Sequence, residues 1–194
     1  MTATIKSPKS FPIIKHFCKK KHTIICGSTW PKDELIISQL IKEYPNYNYI
    51  IAPHELKNIK RLQKQMGAML FSKSNYENIN LNNVMIIDSI GILSSIYQYA
   101  NIAYIGGGFG SGIHNILEPT AFGLPVIFGP NYQKFTEAKE LIIHKGAISI
   151  SNYVELSSAI NDFDDFDKQI AINYIQKNSG ATVKILNSIS RLEL

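Results

Sequence analysis

Between the apolar runs IAYIGG (102–107) and PVIFGP (125–130), glycines adjoin a histidine, an asparagine and a glutamate: GGFGSGIHNILEP, residues 107–119. Five of the seven residues from Gly106 to Gly112 are glycine, so the backbone there can approach a ligand closely and adopt positive φ. Pro119 is tolerated only in the first turn of a helix, where its missing N–H would have been unpaired anyway. The sequence therefore predicts a helix from about Asn115 to Phe122 with Gly123 as its cap. The free N–H groups of residues 115–118 would face the loop, and such a terminus suits a phosphate. Asn115 and Glu118 lie three apart on one face, with Leu117 and Ala121 toward the core. Near that terminus Glu118 is expected to stay ionised and to accept two hydrogen bonds from a vicinal diol, as a ribose offers. Phosphate on backbone amides and ribose on a carboxylate describe a nucleotide pocket. The alternative is that Glu118 caps its own helix and His114 packs in the turn.

Three other segments present small or polar residues where a strand should end. CGSTWPKDE (26–34) supplies Gly27, Ser28 and Thr29, although an ordinary N-cap at Ser28 or Thr29 would explain them as well. IAPHE (51–55) supplies Pro53 and His54, and DSIGI (88–92) supplies Ser89 and Gly91. Four such ends together argue for one shared crevice, with Ser28, Thr29, Gly107, Gly108, Gly112 and His114 as supporting residues. Asp33 and Glu34 read as a solvent-facing helix start. The chemistry is not that of a nicotinamide dehydrogenase: counted from Gly106, the sixth position of G-x-G-x-x-G is Ser111, and no acid ends a strand about 20 residues on. Nor does the chain contain the Gly-Lys-Ser/Thr of a phosphate-binding P-loop.

The elements that must carry these residues alternate in kind. β-branched runs at 22–27, 47–52, 68–72, 83–88, 102–107, 125–130 and 147–150 are separated by amphipathic stretches at 31–44, 54–66, 92–100 and 134–146, the last ending at a Gly146 cap. Pro31 suits a first helical turn. Helical patterns at 153–160, 164–178 and 181–192 close the chain. This is the signature of βαβ units, and it predicts an α/β class: a single Rossmann-like, doubly wound parallel sheet of about six strands in one domain over 23–194. Residues 1–22, with two prolines and a basic cluster at Lys15, Lys19, Lys20 and Lys21, read as a linker or irregular arm, either solvated or in contact with anionic lipid. Asp162, Asp164, Asp165 and Asp167, interleaved with Phe163 and Phe166, read as a solvated loop and helix start.

Bulk properties exclude some classes. The 194 residues carry a formal charge of +5, with 45% hydrophobic and 18% charged residues, ordinary for a soluble globular domain. Cys18 and Cys26 lie in no metal-ligand spacing and suit a reducing compartment. No apolar run reaches the roughly 18–20 residues that span a bilayer, and no signal-peptide pattern opens the chain, so this stretch is expected to be soluble by itself. Nucleic acid is a poor fit, because the basic residues cluster in the arm without interleaved aromatics.

GSTWPKDE, APHE and the block DSIGILSSIYQYANIAYIGGGFGSGIHNILEPTAFGLPVIFGPNYQKF, in order over about residues 23–150, resemble the carboxyl-terminal half of the 3-deoxy-D-manno-octulosonic acid (Kdo) transferases. The resemblance implies the second half of a two-Rossmann (GT-B) glycosyltransferase of lipopolysaccharide biosynthesis, with CMP-Kdo as donor and lipid A or a precursor as acceptor. It implies that Pro53 and His54, the turn Ile90–Gly91–Ile92, and Asn115, Ile116, Leu117 and Glu118 line the CMP site. It further implies chemistry without a metal or cofactor: an acceptor hydroxyl attacks the anomeric carbon and CMP departs. His54 and Ile92 stand where the family tends to carry arginine and glutamate. By the same resemblance the general base, the lipid acceptor surface and a membrane anchor belong to an amino-terminal domain. This chain is therefore expected to hold no catalytic residue and to be inactive alone, and the full-length protein to work at the cytoplasmic face of the inner membrane. Other readings are a GT-B enzyme using a UDP-sugar, a UDP-sugar 2-epimerase, or a non-catalytic nucleotide- or partner-binding module.

Overall fold

A computed structural model describes residues 7–163 and 165–178. Seven strands form one parallel sheet in the order β3-β4-β2-β1-β5-β6-β7. They are β1 (Thr23–Thr29), β2 (Asn48–Pro53), β3 (Met69–Leu70), β4 (Val84–Ile86), β5 (Ile102–Ile105), β6 (Val126–Phe128) and β7 (Ala147–Ser149). The expected α/β class holds, with one strand more than the six expected. The short β3 edge is the weakest member, carrying two residues against β4.

The strands read as unbroken apolar runs because both faces are covered. Ile25, Ile50, Met85, Ala103 and Phe128 enter one core, whereas Ile24, Cys26, Tyr49, Ile51, Tyr104 and Ile127 enter the other. The period of two within each strand thus sorts residues between two hydrophobic layers rather than between core and water. Helices α2 (Pro31–Glu43), α3 (Ile59–Met66), α4 (Leu93–Ile96), α5 (Leu117–Thr120), α6 (Thr136–Ile143), α7 (Tyr153–Asp162) and α8 (Lys168–Asn178) supply the covering. The helix expected over 181–192 lies outside the described residues.

The stretch read as an irregular arm differs from expectation. Pro12–Cys18 forms α1, and Ile14 and Phe17 from it are buried in the first core. The Asn48 Nδ2 group donates to the Phe17 carbonyl at 2.6 Å, which ties the helix to β2. Ile14 and Phe17, three apart, are enough to seat it; the lysines around them hid the pattern. Lys15, Lys19, Lys20 and Lys21 remain exposed. One cap also differs: the left-handed residue after α6 is Lys145, with φ 60°, and not Gly146.

Sheet topology selects where a ligand can sit. From β1 the chain steps out to β2, on to the β3 edge and back in to β4, then crosses to place β5 on the other side of β1. The loops leaving the carboxyl ends of β1 and β5 therefore diverge, and such a switch point opens a crevice.

Candidate nucleotide-binding crevice

Gly27 of β1 pairs with Ile105 of β5, so the β1 and β5 loops start side by side. A methyl group on Gly27 would overlap the Tyr97 hydroxyl, and Tyr97 is buried beneath it. The strand then bulges: Ser28 takes φ 54°, and the register slips between Gly27 and Thr29. Thr29 aligns with Pro53 of β2, and its carbonyl accepts the His54 N–H at 2.9 Å. The ends of β1 and β2 are thereby fused.

Asp33 organises the mouth. Expected on a solvent-facing helix start, it is fully buried. Its Oδ2 accepts the Trp30 N–H at 2.9 Å and the Gly107 N–H at 3.0 Å, while Oδ1 accepts the Tyr104 hydroxyl at 2.7 Å. One carboxylate thus joins the start of α2, the end of β5 and the glycine loop. It also makes Trp30, and neither Ser28 nor Thr29, the N-cap position of α2. Thr29 Oγ1 is buried and without a partner among the described residues. Glu34 is buried too, and it pairs with Arg61 at 2.5 Å. Charge at these two acids does not mean exposure: the Trp30 N–H at the start of their own helix and three donors on other elements, from Tyr104, Gly107 and Arg61, offset the cost of burial.

The glycine loop folds back on itself. Gly107, at φ 93°, places its N–H toward Asp33 while its carbonyl accepts from the N–H groups of Gly110 and Gly112. Gly108 is packed against the Gly129 backbone, and Gly112 takes φ 143° beside the Phe135 ring. The chain then runs extended: the His114 N–H donates to the Gly106 carbonyl, and Ile113 and Ile116 enter the core.

Those anchors shorten the helix predicted from Asn115 to Phe122. Only Leu117–Thr120 is α-helical, because Ile113 and Ile116 hold the preceding residues in the loop path. The expected row of free amides at 115–118 is not formed as such. The Leu117 N–H donates to Asn115 Oδ1 at 3.0 Å, and Asn115 Nδ2 donates to Glu118 Oε1 at 3.1 Å. Gly123, with φ 76°, ends the turn as expected. Glu118 is half-buried, and that burial raises its carboxyl above the usual range, opposed by the Asn115 hydrogen bond. Ionisation is thus harder than its place near a helix start suggested.

Three rings crown the crevice. Trp30 stacks on His54 with centroids 4.4 Å apart, and His54 stacks on His114 at 4.6 Å. Trp30 Nε1 donates to His114 Nε2 at 3.1 Å, so this nitrogen of His114 is an acceptor. Burial and the neighbouring His54 lower the His114 pKa, and Asp33 opposes them. The ends of β1, β2 and β5 therefore converge through Trp30, His54 and His114. In the turn after β4, Ile90 is 87% exposed, Gly91 takes φ 87° and Ile92 packs on the core. The turn leads into α4, which brings Leu93 and then Tyr97 under Gly27 at the β1 end.

Sequence reasoning missed Trp30 and Asp33. An acid three residues into a Pro-led helix was a visible capping signal, whereas nothing in the pattern marked the indole. Among the described residues no group of three His, Cys, Asp or Glu side chains could hold a metal ion. No described helix is long and apolar enough to cross a membrane.

No family model matches the chain. Curated relatives do. The 3-deoxy-D-manno-octulosonic acid transferase of Aquifex aeolicus (strain VF5) is 33% identical over 159 residues, 79% of this chain and 45% of that protein. The enzyme of the same name from Rickettsia bellii (strain RML369-C) is 31% identical over 170 residues, 83% of this chain and 41% of its own length. The chain thus spans less than half the length of these relatives. Among solved structures, the C-terminal CMP-Kdo binding domain of WaaA from Acinetobacter baumannii superposes with a TM-score of 0.68 at 17% identity, covering 86% of this chain and 97% of that one. Anabaena HepE in complex with UDP-glucose gives 0.60 at 18% identity, covering 96% of this chain and 54% of that one. These two show the fold, a Rossmann-like α/β unit. The resemblance read from GSTWPKDE, APHE and the 88–135 block is shown by the curated relatives.

Proposed function

We propose that this chain, a relative of the Kdo transferases, is the donor-binding half of a glycosyltransferase that moves Kdo from CMP-Kdo onto lipid A or its precursor. The observation that carries this reading is the convergence at the β1/β5 switch point. There His54 stacks on His114, and four residues beyond His114 the Glu118 carboxylate accepts a hydrogen bond from Asn115.

Each group has work in that reading. Glu118 accepts the vicinal hydroxyls of a ribose, with Asn115 fixing its rotamer. The imidazoles face the phosphate, and each offers a ring N–H to it. Thr29 Oγ1, buried without a partner among the described residues, is a further hydroxyl at the β1 end. Pro53 stiffens the β2 end that presents His54. As the acceptor oxygen attacks the anomeric carbon, charge builds on the departing CMP phosphate, and donors held beforehand in a partly dry crevice stabilise it.

The reaction asks no metal or cofactor of these residues. Deprotonation of the acceptor hydroxyl falls to a base outside the described crevice, in the portion of the relatives that this chain does not span. We accordingly propose that the chain binds donor but transfers nothing alone, and that the whole protein acts at the cytoplasmic face of the inner membrane. Calorimetric titration with CMP and UMP tests the donor assignment. The reading requires CMP to bind more tightly than UMP; equal binding, or binding of neither, overturns it.

A further inference from the structure

Trp30 is 36% exposed and packs in neither hydrophobic core, yet it is held at several points. Its backbone N–H donates to Asp33 Oδ2 at 2.9 Å, and Pro31 keeps the residue before it extended, at φ −114° and ψ 167°. Its face lies on His54 at 4.4 Å, and its Nε1–H is given to His114 Nε2 at 3.1 Å. Asp33 also accepts the Gly107 N–H at 3.0 Å, and Gly107 abuts the His114 ring, so one carboxylate sets both sides of this contact. A side chain that adds little to either core but is fixed this closely has a task beyond stability.

A neutral imidazole that accepts at one nitrogen carries its proton on the other. His114 accepts at Nε2, so its proton sits on Nδ1, whereas a histidine side chain in water favours the opposite form. The Cδ2–Nε2 edge also lies against Gly107: a methyl there would come within 3.1 Å of Cδ2 and 3.4 Å of Nε2. Nδ1 is therefore on the far side of the ring, where it makes no hydrogen bond among the described residues. Turning the ring over about its Cβ–Cγ bond would put Cε1 opposite the indole N–H and leave that donor without its acceptor. One bond from Trp30 thus fixes both which nitrogen holds the proton and which way the ring lies.

We propose that Trp30 is a positioning residue for His114, engaging Nε2 as an acceptor and so reserving the Nδ1–H as a preset donor for the nucleotide's phosphate. This rests on the donor reading above and names the atom of His114 that meets the phosphate. The proton need not move and the ring need not turn when ligand arrives, and a group ordered beforehand costs less to engage.

Trp30 is the sole tryptophan of the chain, so biosynthetic exchange for β-(3-benzothienyl)alanine replaces that one N–H by sulfur and keeps the stacked bicycle. Trp30→Phe is the genetic counterpart. Proton–nitrogen correlation spectra of the full chain in mildly alkaline buffer read which His114 nitrogen is protonated, and calorimetry compares CMP with cytidine. The wild type is expected to show a protonated Nδ1 and a bare Nε2. In the sulfur analogue and in Trp30→Phe the Nε2–H form is expected to gain, and CMP affinity to fall about three- to ten-fold as the competent form is diluted. Cytidine, which lacks the phosphate, is expected to bind all three alike. A wild type protonated at Nε2, or nitrogens unmoved by loss of the indole N–H, overturns the proposal. So does an unchanged CMP affinity, or an equal loss for CMP and cytidine, which would make Trp30 merely a wall of the crevice. If neither CMP nor cytidine binds the wild type, the donor reading falls and takes the phosphate role of His114 with it, even where the nitrogens behave as expected.

Discussion

Asp33 and Gly107, seventy-four residues apart, are joined by a 3.0 Å hydrogen bond from the Gly107 N–H to Oδ2, and both are buried. The glycine loop is therefore fixed in the absence of ligand, by a carboxylate whose remaining contacts, the Trp30 N–H and the Tyr104 hydroxyl, come from two other elements. Replacing Asp33 with Ala leaves three donors without acceptors. We expect a loss on the order of 3 kcal/mol, and about 1 kcal/mol for Tyr104→Phe, which removes one donor cleanly. Denaturant unfolding measures both. A loss under 1 kcal/mol for Asp33→Ala would mean that the loop holds itself.

Gly27 and Tyr97 make a second pair whose fit can be tested by relief. Gly27→Ala drives a methyl into the Tyr97 hydroxyl and should cost about 1–3 kcal/mol, as overpacking does. Adding Tyr97→Phe makes room and should recover part of that loss. Additive losses in the double variant would show that strain in the bulge at Ser28, not the hydroxyl, is what excludes a side chain.

Stability should depend on His114 in acid. Burial and His54 depress its folded pKa, so the unfolded chain binds the proton more readily near the ordinary value of about 6.5. Stability contributed by neutral His114 is complete above that value and is lost as pH falls through it toward the folded pKa. Protonation also removes the acceptor for Trp30 Nε1–H. Melting curves between pH 8 and 5 should show a steeper acid loss for the wild type than for His114→Gln. Parallel curves would contradict the account.

Much of this was legible in the sequence. Alternating apolar runs gave the parallel sheet, and the clustering of glycines with His114, Asn115 and Glu118 pointed to the β5 end. One crevice shared by four strand ends was the expectation the sequence supported, since open sheets bind ligands beyond their carboxyl ends. What failed has a common cause. Asp33, Glu34 and α1 are polar or basic in sequence yet buried in whole or part, because their partners are tens of residues away: Tyr104 and Gly107 for Asp33, Arg61 for Glu34, Asn48 for α1. Local pattern carries no information about such partners. The overlong helix at 115–122 failed for the converse reason, as local propensity yielded to burial of Ile113 and Ile116.

Glu118→Ala separates ligand binding from capping. If the carboxylate holds a ribose, CMP affinity should fall about ten-fold or more, as expected on losing hydrogen bonds to a charged group, with little change in melting temperature. Because burial raises the Glu118 pKa, wild-type affinity should begin to decline at a higher pH than an ordinary carboxylate would give. An unchanged affinity with a lowered melting temperature would reduce Glu118 to a structural cap.

The central claim is that a cytidine nucleotide occupies the mouth between β1 and β5, and amide chemical-shift mapping of the full chain with CMP tests it most directly. The account predicts saturable shifts at His54, His114 and Asn115 through Glu118, diminished in Glu118→Ala. Shifts confined to other surfaces, or none at millimolar CMP, would contradict it.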